Sequence, residues 1–381
     1  MPEHHFDYII VGNGLAGLQL ALSFNNNSFF KDKKIALIDV AEKTQNDKTW
    51  SFWEKETTPL THLASKRWDF ANIITTENRL SLSLKPYSYH SIKSIDFYNY
   101  AKNQLEKSNN IQFIIDMIID VVEEDEKVIV KSIENTYYAT HVFDSRIPTE
   151  YNLNAKRYTT LIQHFKGWLI KTEEDTFNEN IFTKMDYRLK DGNQTTFMYV
   201  LPYSKREALV EFTYFTEDIV DESTYDSFIK QYIKEYLNVS EYKIIETEIG
   251  QIPMTTYPFY NHTTKNITKI GTAGGWVKPS TGYSFKITQQ KVKRIVSNLK
   301  HNRLPSERLF KKKYFFYDKV FLQVLIDNNH KGDWIFQEFY RKNKTTTMFR
   351  FLDEESTFWE DIKIMISLFS FKFIKAFFKT L

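Results

Sequence analysis

The first residues of the sequence with a clear chemical use are glycines. Gly12, Gly14 and Gly17 form the pattern G-x-G-x-x-G directly after an apolar run. The first glycine permits a tight turn, the second lets a pyrophosphate approach the backbone, and the third lets a helix pack against the strand. Asp39 ends the next apolar run, where an acid binds ribose hydroxyls in such sites. The spacing predicts a dinucleotide site with its phosphates at a helix N-terminus.

A second glycine-rich segment, GTAGGWVKPSTGYSF, covers residues 271–285. Glycines at this density let backbone approach a ligand closely. Aromatic rings beside them indicate that the ligand is apolar or cationic. We therefore expect this segment to line a binding site.

The elements around the first turn follow a βαβ pattern. Residues 6–12 and 33–40 are apolar runs typical of buried parallel strands, and residues 14–24 have the apolar face of a helix. Residues 97–105 also predict a helix. This order places the glycine turn at the carboxyl end of the first strand.

The middle of the chain is rich in strands. Residues 111–144 predict a small β-meander that returns to a buried strand, and residues 158–248 predict a mostly antiparallel sheet interrupted by a helix at 222–237. Residues 286–381 are largely helical. The glycine pattern alone does not separate FAD from NAD, but the meander and the late return at residue 271 favour a two-part FAD domain.

The predicted fold is therefore α/β, with a Rossmann-like FAD/NAD(P)-binding domain, an inserted antiparallel substrate domain and a helical C-terminus. The nucleotide-binding domain comprises residues 1–70, 95–148 and 266–310. The substrate domain comprises residues 71–94 and 149–265, and the C-terminal helical region comprises residues 311–381.

Composition excludes several classes of function. The 381 residues carry 51 basic and 48 acidic groups, a balance that does not indicate a nucleic-acid partner. The sequence has no cysteine, which excludes disulfides and thiolate chemistry, and its histidines lack metal-ligand spacing. No apolar window reaches the length of a membrane-spanning helix, and the first residues do not resemble a signal peptide. The aromatic fraction of 16% is consistent with compositional drift or with a large apolar tunnel.

The order of several motifs resembles one family, the bacterial lycopene β-cyclases, which are FAD-dependent enzymes of carotenoid biosynthesis. The motifs are DKTWSF at 47–52, VFDSR at 142–146, YVLPY at 199–203, LVEFTYF at 209–215, IGQIPM at 249–254, KPSTGYSF at 278–285, WIFQEFYR at 334–341 and MFRFL at 348–352. The resemblance covers most of the chain.

The resemblance implies a cyclisation without net redox change that still needs bound, reduced FAD, with NAD(P)H as the electron source. The substrate is lycopene or a related linear carotene. A proton adds at C2 of the ψ-end, the C1–C6 bond closes, and loss of the C6 proton gives the β-ring. Cyclisation of one end or of both remains open.

The resemblance also assigns roles to residues. Glu211 matches the catalytic acid, whereas Phe212 stands where the family usually has a second acid. On an alternating strand, Glu211 could instead be an exposed edge residue. Arg146 either approaches the pyrophosphate or pairs with an acid.

Further roles concern the flavin and the tunnel. The flavin ring is expected to contact backbone at Gly274, Gly275, Thr281 and Gly282, where N–H groups can stabilise a reduced flavin. The rings expected to line the tunnel, or to pack as ordinary core, are Trp50, Trp53, Trp276, Tyr283 and Phe285.

The last twenty residues predict an amphipathic helix. Lys372, Lys375 and Lys379 fall on one face, and Ile366, Phe369, Phe373 and Phe377 fall on another. Such a helix either lies in a membrane interface or packs on the core. Because a carotene is insoluble in water, the resemblance favours a peripheral protein at the cytoplasmic face of a membrane.

Two other functions fit the same domain plan. One is a flavin-dependent monooxygenase or reductase that acts on an apolar isoprenoid or lipid. The other is a non-catalytic carotenoid or lipid carrier, in which Glu211 would be dispensable.

Overall fold

The computed structural model describes residues 4–154 and 157–380. Residues 1–3, 155, 156 and 381, which the predicted domain ranges include, lie outside this part. Within it, two large sheets, a small sheet and a group of C-terminal helices surround the residues singled out above.

The first sheet contains the strands that flank the glycine turn, and we call it the mixed sheet. Its spatial order is β8 (Ile111–Ile115), β2 (Ile35–Asp39), β1 (His4–Val11), β11 (Thr136–Asp144), β10 (Lys127–Ser132) and β9 (Ile118–Glu124), with β17 (Ile267–Lys269) also paired to β11. β1 runs parallel to β2 and β11, and β11 runs parallel to β17. Their carboxyl ends therefore meet at one edge, where ligands bind in open α/β sheets.

One predicted strand pairing is wrong. The sequence assigns residues 111–116 to the β-meander, but β8 lies at the opposite edge of the mixed sheet, parallel to β2. The meander consists of β9, β10 and β11, which pair antiparallel. A short apolar strand does not reveal its partner, because pairing depends on packing against the rest of the sheet.

The second sheet, which we call the large sheet, is mostly antiparallel, as predicted. Its spatial order is β16 (Tyr242–Thr255), β12 (Thr160–Thr172), β15 (Glu207–Thr216), β14 (Thr196–Pro202), β13 (Ile181–Asp186), β5 (Phe70–Ile74) and β6 (Arg79–Ser83). Only the β13–β5 pair among its described pairs is parallel. A small third sheet, with the order β3 (Thr49–Glu54), β7 (Ser88–Lys93) and β4 (Lys66–Trp68), carries residues of the DKTWSF segment.

The helices cover these sheets. Those of the first three hundred residues are α1 (Leu15–Asn25), α2 (Ser94–Leu105), α3 (Thr149–Asn154), α4 (Glu222–Glu235) and α5 (Phe285–Lys300). The C-terminal ones are α6 (Lys312–Asp327), α7 (Gly332–Lys342), α8 (Thr345–Leu352), α9 (Phe358–Ser367) and α10 (Phe371–Thr380). The predicted helices at 14–24, 97–105 and 222–237 are confirmed by α1, α2 and α4.

The two faces of the large sheet have different partners. One face packs its apolar side chains against α4. The other contributes to a core shared with the small sheet and with the C-terminal helices. Neighbouring residues of a strand point to opposite faces. The residues of β15 therefore alternate between the face that packs on α4 and the face that packs toward the C-terminal helices.

Candidate functional site

The main cavity lies between the mixed sheet and the large sheet and has a volume of about 770 Å³. Residues 12–17, after β1, form one side, which we call the glycine wall. Gln163 of β12, Glu211 of β15 and Glu248 of β16 belong to another side, which we call the acid wall. Residues 281–285 line the cavity as well. The two segments with predicted chemistry therefore share one cavity.

The three glycines of the glycine wall have different surroundings. Gly12 has a φ of +100°, and a Cβ atom there would lie 2.0 Å from Ser145 Oγ. A Cβ atom on Gly17 would lie 2.0 Å from the Gly12 carbonyl oxygen, so α1 and β1 approach too closely for a side chain. A Cβ atom on Gly14 would meet no described atom within 4 Å, because Gly14 borders the open cavity. Gly14 is the N-cap of α1, and no described side chain caps this helix.

Two predicted cofactor residues lie beside the cavity and do not line it. Asp39 accepts a hydrogen bond from the Asn13 N–H at 2.6 Å, which ties the end of β2 to the glycine wall. The Arg146 guanidinium pairs with Asp144 at 3.0 Å and also donates to the Ile118 carbonyl. The sequence leaves two interpretations of Arg146, and the structure supports the one in which Arg146 pairs with an acid.

The second glycine-rich segment divides between two cavities. Thr281 and Gly282 line the main cavity, whereas Gly274 and Gly275 line a neighbouring cavity of about 50 Å³. The space at Gly274 is taken by the chain itself, since a Cβ atom there would lie 2.4 Å from the Lys269 carbonyl oxygen. In this structure, Gly274 and Gly275 shape the turn and do not border the main cavity.

Unpaired polar atoms mark one end of the main cavity. Gly282 has a φ of +72°, and its missing side chain leaves room for Gln163, whose Oε1 would lie 2.2 Å from a Cβ atom. Gln163 Oε1 and Thr281 Oγ1 are both buried and have no hydrogen-bond partner among the described residues. Buried polar atoms are normally paired, so this end of the cavity is suited to a ligand with polar groups.

Four of the five predicted tunnel rings line the main cavity: Trp50, Trp276, Tyr283 and Phe285. Trp53 does not. It stacks on Phe349 with ring centroids 4.5 Å apart, and its indole N–H donates to the Asp353 carboxylate at 3.0 Å. The prediction that Trp53 lines the tunnel is wrong, because β3 turns this ring toward the C-terminal helices.

Glu211 belongs to an interior strand and not to an edge. β15 lies between β12 and β14, and Glu211 is only 6% exposed. Thr213 Oγ1 donates a hydrogen bond of 2.6 Å to Glu211 Oε1. Burial, and then the nearby Glu248 carboxyl, raise the pKa of Glu211 well above its usual range. The interpretation as an exposed edge residue is wrong, and the neutral acid is favoured.

Phe212 points to the opposite face of the sheet. It is fully buried and stacks on Phe228 of α4, with ring centroids 4.5 Å apart. Phe212 and Glu211 thus point to opposite faces of the sheet, as adjacent residues of a strand do. The residue at the family's usual second acidic position does not reach the cavity.

A second carboxyl group nevertheless reaches Glu211. Glu248 of β16 lines the same cavity, and the two carboxyl groups are within hydrogen-bonding reach of each other. Thr49 Oγ1, from the DKTWSF segment, donates to Glu248 Oε2 at 2.7 Å. Sequence reasoning missed Glu248, although it stands directly before the IGQIPM segment. On an alternating strand it shares a face with Gly250 and Ile252, which also line the cavity.

Sequence reasoning also missed an enclosed lysine. Lys184 of β13 is buried, lines the main cavity and donates to the Tyr283 hydroxyl at 2.9 Å. Its ammonium group lies 5.0 to 5.8 Å from four ring centroids, those of Tyr89, Tyr283, Trp53 and Tyr340. Rings around a cation at this distance stabilise it. Trp53 thus supports the cavity through Lys184.

A second, apolar cavity of about 300 Å³ lies among the C-terminal helices. Its lining includes Val320, Phe321, Phe339, Leu368, Phe373 and Phe377. Thr281, Phe336 and Tyr340 line both this cavity and the main cavity. The two spaces are therefore separated by shared side chains.

The predicted C-terminal helix is interrupted. α9 ends at Ser367 and α10 begins at Phe371, so Ile366 and Phe369 do not share one helix face with Phe373. Ile366 is 67% and Phe369 is 72% exposed, whereas Phe373 is partly buried. Phe369 and Phe373 both line the second cavity. That alignment is wrong because a helix period does not continue across a break. Among the described residues, no helix has the length and apolarity needed to cross a membrane.

Comparison with known proteins identifies the family. The family model described as "Lycopene cyclase protein" matches residues 7–378. The chain belongs to the lycopene cyclase family. Membership of the lycopene cyclase family supports an enzyme of carotenoid biosynthesis with a carotenoid substrate. No curated protein matches the sequence significantly.

Solved structures of several flavoproteins are similar to this lycopene cyclase family member. A geranylgeranyl bacteriochlorophyll reductase-like protein from Thermoplasma acidophilum has a TM-score of 0.62 at 11% identity and covers 100% of both chains. The flavin-dependent brominase Bmp2 has a TM-score of 0.58 at 14% identity, covering 95% of this chain and 93% of its own. The flavin-dependent monooxygenase PieE, solved with FAD and substrate, has a TM-score of 0.61 at 12% identity, covering 99% and 72%. At these identities the likeness concerns the fold, and it confirms the predicted fold class.

Proposed function

We propose that the protein is a lycopene β-cyclase that uses bound, reduced FAD to convert the ψ-ends of a linear carotene to β-rings. The observation that carries the proposal is a buried carboxyl group, that of Glu211, in a cavity that also borders a dinucleotide-type glycine turn. Burial raises the pKa of this group, which favours its protonated form. Family membership supplies the substrate class. The ring type, the reduced state of the flavin and NAD(P)H as its electron source are parts of the proposal.

The residues around the main cavity fit FAD. The open space at Gly14 and the uncapped start of α1 suit a pyrophosphate, which the N–H groups of the first turn would bind. Asp39, beside this turn, would bind the ribose. The unpaired Gln163 and Thr281 oxygens suit the polar edge of the flavin ring. When bound and reduced, the flavin supplies negative charge that stabilises a cationic substrate.

The protein itself supplies a proton and an apolar surface. Glu211, kept neutral by burial, would donate its proton to C2 of the ψ-end and later accept the C6 proton. The substrate gains one proton from Glu211 in the first step and returns one to Glu211 in the last, so the mass of the substrate does not change. Trp50, Trp276 and Phe285 would exclude water from the intermediate cation and present their π-faces to it.

The two adjoining cavities support a long apolar substrate. The second cavity extends from residues shared with the main cavity to exposed residues of α9 and α10. A linear carotene could occupy both spaces if the side chains of Phe336 and Tyr340 moved aside. In that arrangement one end of the carotene lies near Glu211 and the remainder lies among the C-terminal helices.

The test is incubation of the purified protein with lycopene, FAD and a reductant in heavy water. We expect a cyclic product of unchanged mass apart from one deuterium at C2 of each new ring, identified by its absorption and mass spectra. A product that gains oxygen or hydrogen would indicate a monooxygenase or reductase. Recovery of unaltered lycopene from a stable complex would indicate a carrier.

We further propose that α9 and α10 bind the surface of an anionic membrane, which would place the protein at the cytoplasmic face. Six large apolar side chains of this region are at least 66% exposed: Phe358, Trp359, Ile366, Phe369, Phe371 and Phe378. Lys372 and Lys375 stand among them. Exposed rings beside lysines are typical of segments in the interface of an anionic bilayer.

The membrane proposal can be tested by flotation with vesicles of phosphatidylglycerol and phosphatidylcholine. The double variant Phe371→Ser/Lys375→Glu should lose vesicle binding, and the binding of the native protein should weaken as salt rises. A matched control, Ile133→Ser/Lys131→Glu, changes an exposed apolar residue and an exposed lysine of β10 and the turn after it. Equal flotation of all three proteins would contradict the proposal.

A further inference from the structure

The two carboxyl groups of the acid wall come from strands that are not neighbours. β12 lies between β15 and β16, and its residue Gly167 stands directly opposite Glu211 on one side and Glu248 on the other. Residues directly opposite one another project from the same face of a sheet. Strands on either side of a third are about 10 Å apart, so a side chain on the middle strand normally separates theirs.

The absence of a side chain at Gly167 removes that separation. A Cβ atom there would lie 3.2 Å from Glu211 Cβ and 3.3 Å from Glu248 Cγ. It would therefore occupy the space across which the two glutamates bend toward each other. The register of three strands and one glycine together bring the two carboxyl groups into hydrogen-bonding reach.

Among the described residues, no cationic side chain forms an ion pair with either glutamate, and Lys184, which lines the same cavity, donates to Tyr283 instead. Thr213 and Thr49 each donate one hydrogen bond, to Glu211 and Glu248 respectively. Lys93 of β7, which acts on Glu248, is itself paired with Glu246 at 3.0 Å. From the neighbouring strand β14, Tyr199 faces Glu211, and burial raises the pKa of this tyrosine well above its usual range.

Two adjacent buried carboxyl groups without a cation of their own tend to share one proton. Burial raises the pKa of Glu211 and of Glu248, and the charge of the partner raises that of Glu211 further. The proton is favoured on Glu211, because the Thr49 hydrogen bond and the charge of Lys93 lower the pKa of Glu248. Glu211 is thus the donor and Glu248 the carboxylate that accepts.

We propose that Glu248 is a positioning residue for the acid–base group, and that Glu211 and Glu248 hold one shared proton across Gly167. This inference rests on the proposed cyclase function. While Glu248 is ionised, its charge keeps the proton on Glu211 until a substrate double bond accepts it. After that transfer the two carboxylates repel each other, which makes Glu211 a stronger base for the C6 proton. One proton leaves and one returns, so the pair is restored.

Activity measurements can test the pair through its pH dependence. In Glu248→Gln, Glu211 loses the neighbouring charge, so the alkaline limb of the kcat/KM profile should move to lower pH. We expect a loss on the order of 10-fold or more at neutral pH that is partly restored at lower pH. Gly167→Ala should shift the limb in the same direction, because its methyl group occupies the gap between the carboxyl groups.

Glu246→Gln is the matched control for these variants. It removes a carboxyl group from the same strand, two residues away, that is paired with Lys93. If loss of any nearby negative charge explained the shift, Glu246→Gln would move the profile as far as Glu248→Gln. We expect a clearly smaller shift. An alkaline limb that is the same in native protein, Glu248→Gln and Gly167→Ala would overturn the proposal.

A second measurement does not depend on the cyclase activity. Infrared difference spectroscopy of the purified protein without substrate should detect a protonated carboxyl group that persists at neutral pH. The band should disappear in Glu211→Gln and should titrate at lower pH in Glu248→Gln and Gly167→Ala. A native band that titrates in the ordinary carboxyl range would refute the shared proton, whatever reaction the enzyme catalyses. If the band behaves as expected but lycopene is unchanged, only the cyclase proposal fails.

Discussion

The glycine wall and the acid wall face the same cavity but are assembled over different distances along the chain. The glycine wall consists of six consecutive residues, 12–17, which comprise the turn after β1 and the first turn of α1. The acid wall combines Gln163, Glu211 and Glu248 from three strands. In the proposed function, the first wall would bind a ligand through backbone N–H groups, whereas the second would act through two carboxyl groups whose pKa depends on burial and on one another.

This difference determines what each wall tolerates. In the glycine wall, each of the three glycines has one steric role, and a substitution at one of them should affect either folding or the ligand. In the acid wall, the proposed function of Glu211 depends on the register of neighbouring strands and on the space left by Gly167. Substitutions that leave the fold intact can therefore still change its chemistry. The two walls should be separable by experiment.

The largest expected effect concerns the acid wall alone. Glu211→Gln preserves the size of the side chain and can still donate to Glu248, but it cannot transfer a proton. Loss of a proton-transfer group typically costs about 10² to 10⁴ in rate, so cyclisation should fall by that factor. Bound flavin and thermal stability serve as controls and should be retained. Full activity of the variant would remove Glu211 from the mechanism.

The reciprocal experiment breaks the glycine wall and leaves the acid wall intact. A side chain at Gly14 would project into open space, so Gly14→Val should fold normally but exclude the pyrophosphate and abolish flavin retention. Gly17→Val provides the contrast, because its Cβ atom would lie 2.0 Å from the Gly12 carbonyl oxygen and should prevent folding. Flavin content and circular dichroism distinguish the two outcomes. Normal flavin binding by Gly14→Val would show that the phosphates lie elsewhere.

The walls also differ in how far the sequence predicts them. The steric roles at Gly12, Gly14 and Gly17 follow from spacing, since strand, turn and helix are contiguous. Glu211 was found only through the family resemblance, because an alternating strand does not reveal whether it lies at an edge. The contact between Glu211 and Glu248 depends on the fact that β15 and β16 both flank β12. No local sequence pattern encodes that arrangement of strands. The pairing of β8 in the mixed sheet is predicted wrongly for the same reason, since no local pattern shows which strand lies beside it.

A third experiment tests which face of β15 carries the chemistry. Phe212→Asp restores the family's usual second acid but places a carboxyl group against Phe228 of α4. We expect no gain in cyclisation and a loss of stability of about 3 to 5 kcal/mol, from lost packing and an unpaired buried charge. Urea unfolding measures this loss, and Phe212→Leu is a control that keeps the site apolar. Increased activity of Phe212→Asp would contradict the orientation of this strand.

The smallest effect is a change of stability with pH, and its sign is specific to the acid wall. Because the pKa of Glu211 is raised in the folded state, the folded protein binds this proton more tightly than the unfolded chain does. The stabilisation is complete below the unfolded pKa of about 4.3 and is lost as the pH rises toward the folded value. Glu211→Gln lacks this loss. Its free energy of unfolding, relative to native protein, should therefore increase by up to about 1.4 kcal/mol per pH unit over that interval.

Glu246 of the same sheet should give the opposite sign. Burial raises the pKa of Glu246, but hydrogen bonds from Asn46 and Lys93 lower this pKa by more, so that it is lowered overall. The ionised form of Glu246 therefore stabilises the folded protein, and this stabilisation is complete above the unfolded pKa. The free energy of unfolding of Glu246→Gln, relative to native protein, should therefore decrease as the pH rises toward the unfolded pKa of about 4.3 and should stay constant above it. Urea unfolding at several values between about pH 3 and pH 8 measures both differences, the Glu246 change below the unfolded pKa and the Glu211 change above it. Parallel slopes for the two variants would contradict a raised pKa for Glu211, because only groups shifted in opposite directions give slopes of opposite sign.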